Sequence, residues 1–440
     1  MYAPAGPGGG HWKSCLVLCY GKIPKMFRRN AALDRIYRPD VSIGAFLAAL
    51  VLSGIAAGLY KGVQDNFLAE IVQIDAFGRG ITEFFRELPG LFLVIFLAWM
   101  YRFSENRIFK IGIALLAAAI TGMALAGFLP PSVFPRAAGK AMIVSLMVLY
   151  SAGEHIIMPV RTSISLDMAR KDKGGASLGI TGALGHGGNI VGFLMVSAAF
   201  LLFSRAGFAK FTQFRIVYAA SLFLTFGSLL VCMAMKDSGM KIKRPRFYFA
   251  KKFHKFYMLE IFYGARKQVF LTFAPYVLIL NYGADTSVIS LLLAISAACG
   301  FVVSPLIGKL IDHVGYKAVM VGDTLILIVV CFMYGFAHRL FPLHIAFYVV
   351  CVNYILDAII SVASMASNVY VQDIADNQEE ITATISTGIS VNHIISVSIA
   401  LLGGFIWKIA GIELLFSLSA FLGLLNSLYA ASIKTNKTKK

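Results

Sequence analysis

Apolar stretches of about twenty residues recur along this chain, and no other feature limits its fold as strongly. A helix rises 1.5 Å per residue, so about twenty residues cross the roughly 30 Å hydrocarbon layer of a bilayer. Twelve such stretches can be read, near 42–62, 81–101, 108–128, 140–161, 176–203, 214–235, 256–280, 287–311, 318–338, 343–370, 382–406 and 411–432. Hydrocarbon offers backbone amides no water, so each stretch is expected to be a helix. Composition supports this: charged residues are 14% of the chain, against about 25% in soluble domains. With 58% hydrophobic residues, a soluble enzyme, a disordered chain and a disulfide scaffold are excluded. A membrane barrel would show short alternating strands instead of long apolar runs. The expected class is an all-α membrane protein with twelve transmembrane helices in two six-helix bundles.

The net charge of +18 invites a nucleic-acid reading, and the distribution of the charge removes it. Loops on the side of the N-terminus hold 26 Lys and Arg, those on the other side 8. Cytoplasmic loops collect Lys and Arg. Both termini are therefore expected in the cytoplasm, in a multi-pass protein of the plasma (inner) membrane. Its expected partner on this ground is the lipid bilayer, with no nucleic acid. Cys15 and Cys19 have no second ligand pair nearby, so neither a metal nor a cofactor is expected.

Residues 1–40 are expected to be a disordered, basic cytoplasmic tail, in which Met26 is a candidate start. Residues 41–235 and 254–432 are the two expected bundles, joined by a basic cytoplasmic linker over 236–253 and followed by a tail over 433–440. The halves repeat weakly. Asp167 precedes His186 by 19 residues at the fourth-to-fifth span junction, and Asp373 precedes His393 by 20 at the tenth-to-eleventh. Six spans plus six with parallel repeat character is a transporter pattern.

Between the eighth and ninth spans stands GKLIDHVGYK, Gly308 to Lys317. With the six-plus-six topology, this loop resembles the major facilitator superfamily, whose pattern there is Gly, three residues, Asp, a basic residue, one residue, Gly and two basic residues. Gly308, Asp312, Gly315 and Lys317 fit, while His313 and Tyr316 depart from it. The first-half loop from Ala98 to Arg107 lacks both glycines and the Asp, and the fifth span lacks the Gly-Pro of the family's drug antiporters. The resemblance implies a twelve-helix secondary transporter and a monomer. It also implies that Asp312 latches onto the start of the fifth span, at Gly174, Gly175 and Ser177, in the outward-open state.

Ionisable residues inside spans are costly and point to function. Lys61 and Asp65 are spaced to pair on one helix face. Glu83, Arg86 and Glu87 follow one another in the second span, before a kink at Pro89. Glu260, Tyr263 and Lys267 share a face in the seventh span, with Arg266 adjacent. Two neighbouring cations need an anion between them, so Lys61, Asp65, Arg86, Tyr263, Arg266 and Lys267 are the expected substrate-binding residues. Internal pairing with Glu260, Glu83 or Asp65 is the competing reading for these cations. Proton coupling is expected from Glu83, Glu154, His155, Asp357 and His393, with Glu154 and Arg161 on one stripe and Asp357 paired with His393. Helix–helix hydrogen bonding is the simpler reading for these. No ATP-binding loop and no HExxH occurs. The expected activity is alternating-access transport of a small anionic organic solute with protons, not enzymatic catalysis. A lipid or amphipathic-compound exporter or flippase on the same fold is the alternative.

Overall fold

The computed structural model describes residues 31–100, 102–235 and 248–433. Residues 1–30 of the expected tail over 1–40, with its start at Met26, residues 236–247 of the linker and residues 434–440 of the end tail lie outside the described residues. The rest of the first tail is ordered, not disordered as expected: Ala31–Asp34 is a helical turn, and Tyr37 is buried and bridges to Ala169.

Long apolar runs become helices, and polar punctuation sets their ends. α1 spans Ile43–Asn66 and ends in a π-turn, Phe67–Ile71. α2, Ala76–Leu91, starts where the Asp75 carboxylate accepts a bond from the Gly78 amide at 2.7 Å. Beyond Pro89 it breaks at Phe92 and continues as Leu93–Trp99. α3 is Glu105–Ala126, α4 Ala137–Met168, α5 Gly174–Arg205 and α6 Lys210–Met233. α7, His254–Tyr282, ends at Gly283 in the left-handed conformation (φ 69°), and Asp285 caps α8, Thr286–Val314. Gly315, at φ 87°, makes the tight turn into α9, Tyr316–Leu340. α10 runs over Leu343–Ser361, tightens into a 3-10 turn and resumes as Met365–Ile374.

The last helical stretch, Gln378–Ala431, is 54 residues long. As one rod it would measure about 80 Å, more than twice the hydrocarbon thickness. It turns instead at Gly411 (φ 79°), giving α11 over 378–410 and α12 over 412–431. Nine helices among the described residues are long and apolar enough to cross a bilayer, this stretch counting once. Dividing it and adding the broken α2 and the charge-bearing α7 is consistent with twelve passes. The second span starts near residue 76, not 81, so Arg79 lies inside it and not in a loop as its position suggested.

Each half has its own apolar core. In the first, Phe67 meets the edges of Phe134, Phe214 and Tyr218 at 5.9, 5.4 and 5.3 Å. In the second, Phe270, Tyr334 and Phe416 pack together at 4.8–5.3 Å. Lipid tails are as apolar as Leu, so helix packing in a membrane relies on close approach through small residues. α1 and α5 meet through Gly54 and Gly58 against Gly185, Gly188 and Gly192.

The two halves touch at the face away from the chain ends. The Asn66 amide donates to the Ala284 carbonyl at 3.0 Å, Ser197 and Ser287 hydroxyls meet at 3.2 Å, and Gly80 lies against Ala400 and Gly404. At the face bearing the described chain ends, a Cβ on Gly175, Gly179 or Gly308 would meet nothing within 4 Å. α5 and α8 thus converge at one face and splay at the other, which we call the terminal face.

A Cβ on Gly58 would lie 2.4 Å from the Asn189 carbonyl oxygen and 2.9 Å from the Gly192 Cα. Gly58→Ala should therefore lower stability by about 1–3 kcal/mol, while Gly175→Ala should be neutral, as read by thermal unfolding in detergent. Equal melting temperatures for the two variants would contradict this account of the α1–α5 contact.

Candidate functional site

α2 carries the densest charge in the membrane. Arg79, Glu83, Arg86 and Glu87 lie at i, i+4, i+7 and i+8, a single face of the helix. The Glu83 carboxylate is fully buried and accepts four bonds. Arg79 Nη1 donates to it at 2.7 Å, Arg86 Nε at 2.8 Å, Arg86 Nη2 also reaches it, and Gln268 Nε2 of α7 donates at 3.0 Å. Arg79 extends the chain to Asp65 on α1 at 3.1 Å and lies over the Tyr276 ring of α7, 5.6 Å from its centroid. Arg86 holds Glu87 Oε1 at 2.7 Å. Glu87 Oε2 meets His393 Nδ1 of α11 at 3.0 Å. A buried charge is tolerable only when paired and hydrogen-bonded, and here every charge in the chain has a partner.

Further polar groups surround this chain. Lys61 of α1 pairs with Glu154 of α4, and both keep solvent contact, at 36% and 25% side-chain exposure. Arg161 lies against α5 beside Gly185. In the second half, Arg266 donates to Asp357 of α10 at 3.1 Å and to the Ser361 hydroxyl at 3.2 Å. Tyr263 stacks under Arg266 and donates to the Ser361 carbonyl at 3.3 Å. Glu260 accepts from Ser367 and Asn392 at 3.1 and 3.3 Å, and with Asp323 it lines a pocket between α7, α9, α10 and α12.

Several pairings expected from helical spacing are replaced. Lys61 pairs with Glu154, not with Asp65, and Asp65 pairs with Arg79. Glu154 does not pair with Arg161. Asp357 and His393 do not pair with each other: Asp357 holds Arg266, and His393 holds Glu87. His155 bonds the Ser151 carbonyl through Nδ1 at 2.8 Å. Arg86 and Arg266 are consumed by internal carboxylates, which favours the pairing reading for them. Lys267 makes no ion pair among the described residues. The latch contact is also not made. Among the described residues Asp312 is exposed and makes no ion pair, Ser177 donates to the Ser165 carbonyl instead, Lys317 donates to the Ile433 carbonyl at 3.0 Å, and Gly308 and Gly315 lie clear of neighbours. The splayed terminal face holds the two sides of that contact apart.

Residues 256–440 match the family model described as Major Facilitator Superfamily. The nucleoside transporter NupG superposes with a TM-score of 0.66 at 12% identity, covering 88% of this chain and 97% of that one. Over its second half the chain is similar to this superfamily in sequence, and over most of its length in fold. A D-xylose-proton symporter gives 0.67 at 16% identity, over 88% and 96%. A peptide transporter, POT, in complex with alafosfalin gives 0.64 at 14%, over 94% and 98%. A search of curated protein sequences finds no match. These likenesses fit a multi-pass helical membrane protein. At identities this low the superpositions speak for the fold alone, and the substrates named for these three structures differ from one another.

Arg79 and Gln268 complete the buried chain, and the sequence reading did not place either of them in the site; it noted Glu87 beside Glu83 and Arg86 without giving it a role. Arg79 sits four residues before Glu83, a spacing that would have joined them had the helix been started at the Asp75 cap. Gln268 carries no charge to draw notice. Because Glu83 is the shared acceptor of two buried guanidinium groups, Glu83→Gln should leave like charges facing each other and cost about 3–5 kcal/mol. Asp65→Asn, which leaves the Arg79–Glu83 bond in place, should cost less. Thermal unfolding of the two variants in one detergent decides the order.

Proposed function

We propose that this transporter moves a small organic anion by alternating access, driven by protons. Cations that remain accessible carry the reading. Lys61 is half exposed and shares a single carboxylate, while Arg161 and Lys267 have none among the described residues. A carboxylate or phosphate group arriving from the terminal face would compete with Glu154 for Lys61 and gain Arg161 as a second donor. The more buried Arg79 and Arg86 serve as structural counter-ions in this scheme. If the termini are cytoplasmic, as the Lys and Arg distribution favours, the structure is open to the inside.

A thermal-shift screen of the purified protein against carboxylates, phosphates and neutral solutes tests the substrate class, because a ligand that binds only the folded state stabilises it. An anionic hit whose apparent affinity falls at least about tenfold, or 1.4 kcal/mol, in Arg161→Ala or Lys267→Ala is the expected result. Stabilisation by neutral solutes or lipids alone would overturn it.

Asp357 is the proposed proton carrier. Its partner Arg266 comes from α7, so protonating the carboxylate would release a cation on a different helix and link charge to helix position. In proteoliposomes, Asp357→Asn should abolish uptake driven by a pH gradient while retaining substrate exchange. Gradient-driven uptake at the wild-type rate would remove Asp357 from the mechanism.

The Asp312 latch fits the same cycle, forming when the terminal face closes. Asp312→Ala should therefore shrink the population with a short distance between spin labels at positions 175 and 308. An unchanged distance distribution would dismiss the latch.

A further inference from the structure

We propose that Glu87, His155 and His393 form a site for a divalent transition-metal ion of zinc-like chemistry, bridging the two halves. The inference stands apart from the identity of the transported solute. One ligand atom from each residue lies within 4.8 Å of the others. Glu87 comes from α2 and His155 from α4 in the first half, and His393 from α11 in the second. The two imidazole rings are 5.1 Å apart, edge to face.

The hydrogen bonds around the trio leave the right atoms available. His155 Nδ1 faces the Ser151 carbonyl oxygen at 2.8 Å, and a carbonyl can only accept, so that nitrogen carries the proton. Its Nε2 therefore carries the lone pair. Fixing a histidine through its second nitrogen on a backbone carbonyl is how metal-ligating imidazoles are oriented. Glu87 Oε1 is engaged by Arg86 at 2.7 Å, while Oε2 faces only His393, at 3.0 Å. The charge of Arg86 is already shared with Glu83. Gly90, one helical turn beyond Glu87, lets both rings approach its backbone closely: a Cβ there would lie 2.6 Å from His155 Nε2 and 2.9 Å from His393 Nδ1. Both ring nitrogens thus lie together beside the same point of α2.

Two imidazoles and one carboxylate, with a fourth position for water, suit Zn²⁺ and its neighbours in the first transition row. Ca²⁺ and Mg²⁺ need six or more oxygen ligands and fit poorly. Coordination would replace the His393–Glu87 hydrogen bond and require His393 Nδ1 deprotonated. Since the donors belong to both halves, an ion here holds α2 and α4 against α11. It should therefore favour the conformation open at the terminal face and slow interconversion, a shift set by its differential affinity for the two states.

The test uses the full-length protein in detergent, stripped with chelator, and Zn²⁺ alone as the probe. Calorimetry and thermal shift should show saturable binding of one ion, reversed by chelator, with no response to Mg²⁺. Binding should weaken at least about tenfold in His155→Asn and in His393→Gln, in line with the loss of one ligand. Spin labels across α2 and α11 should show a narrower distance distribution with Zn²⁺. Co²⁺ substitution gives a readout on unmutated protein, should a variant fail to fold: a visible spectrum of tetrahedral nitrogen and oxygen ligation, without thiolate charge transfer. No Zn²⁺ binding by the unmutated protein would overturn the proposal. So would binding that persists in both variants, or a thiolate spectrum, which would point to cysteines elsewhere in the chain.

Discussion

The buried carboxylate of Glu83 is the point on which the middle of this molecule depends. Two guanidinium groups from its own helix, and an amide from a helix of the other half, all donate to it. Without that acceptor, Arg79 and Arg86 would be uncompensated cations in a region with little water, where leaving a charge unpaired is among the largest single penalties a fold can incur. From Glu83 the bonding runs outward, through Arg79 to α1 and through Arg86 and Glu87 to α11. α2 is thereby fixed in rotation as well as in depth, and it presents its charges to the other half of the protein and not to lipid.

Around this polar chain the packing is arranged so that the halves can move as units. Within the first half, α1 and α5 meet backbone to backbone through glycines, with no room for a methyl group. Between the halves, contacts at the closed face are few hydroxyls, one amide and a pair of small-residue approaches. Each such bond is weak on its own, which suits the rocking of the halves that alternating access as proposed would need. The ion pairs Lys61–Glu154 and Arg266–Asp357 sit within their own halves, so they can exchange partners without dismantling the frame.

Much of the fold was legible from the chain as written. Apolar runs about a bilayer thick gave the helices, and the basic linker marked the division into halves. The GKLIDHVGYK loop carried the family resemblance. Helix spacing was a poorer guide to the charges. It joined Lys61 to Asp65 because they lie one turn apart, yet both residues found partners on other helices. It passed over Arg79 because the start of the second span was set five residues late. Gln268, neutral and directly after Arg266 and Lys267, gave no sign that it reaches Glu83.

The sequence by itself determined the membrane class and the all-helical architecture and carried the family resemblance, because hydropathy over a bilayer thickness and a local loop motif are properties of contiguous residues. Only the tertiary structure decided which carboxylate each cation meets and which face stands open. It also brought Glu87, His155 and His393 together, from positions up to 306 residues apart. The physical reason is that in a medium without water a charge binds whichever counter-ion the packed helices bring near, and helix packing, not separation along the chain, sets that neighbour.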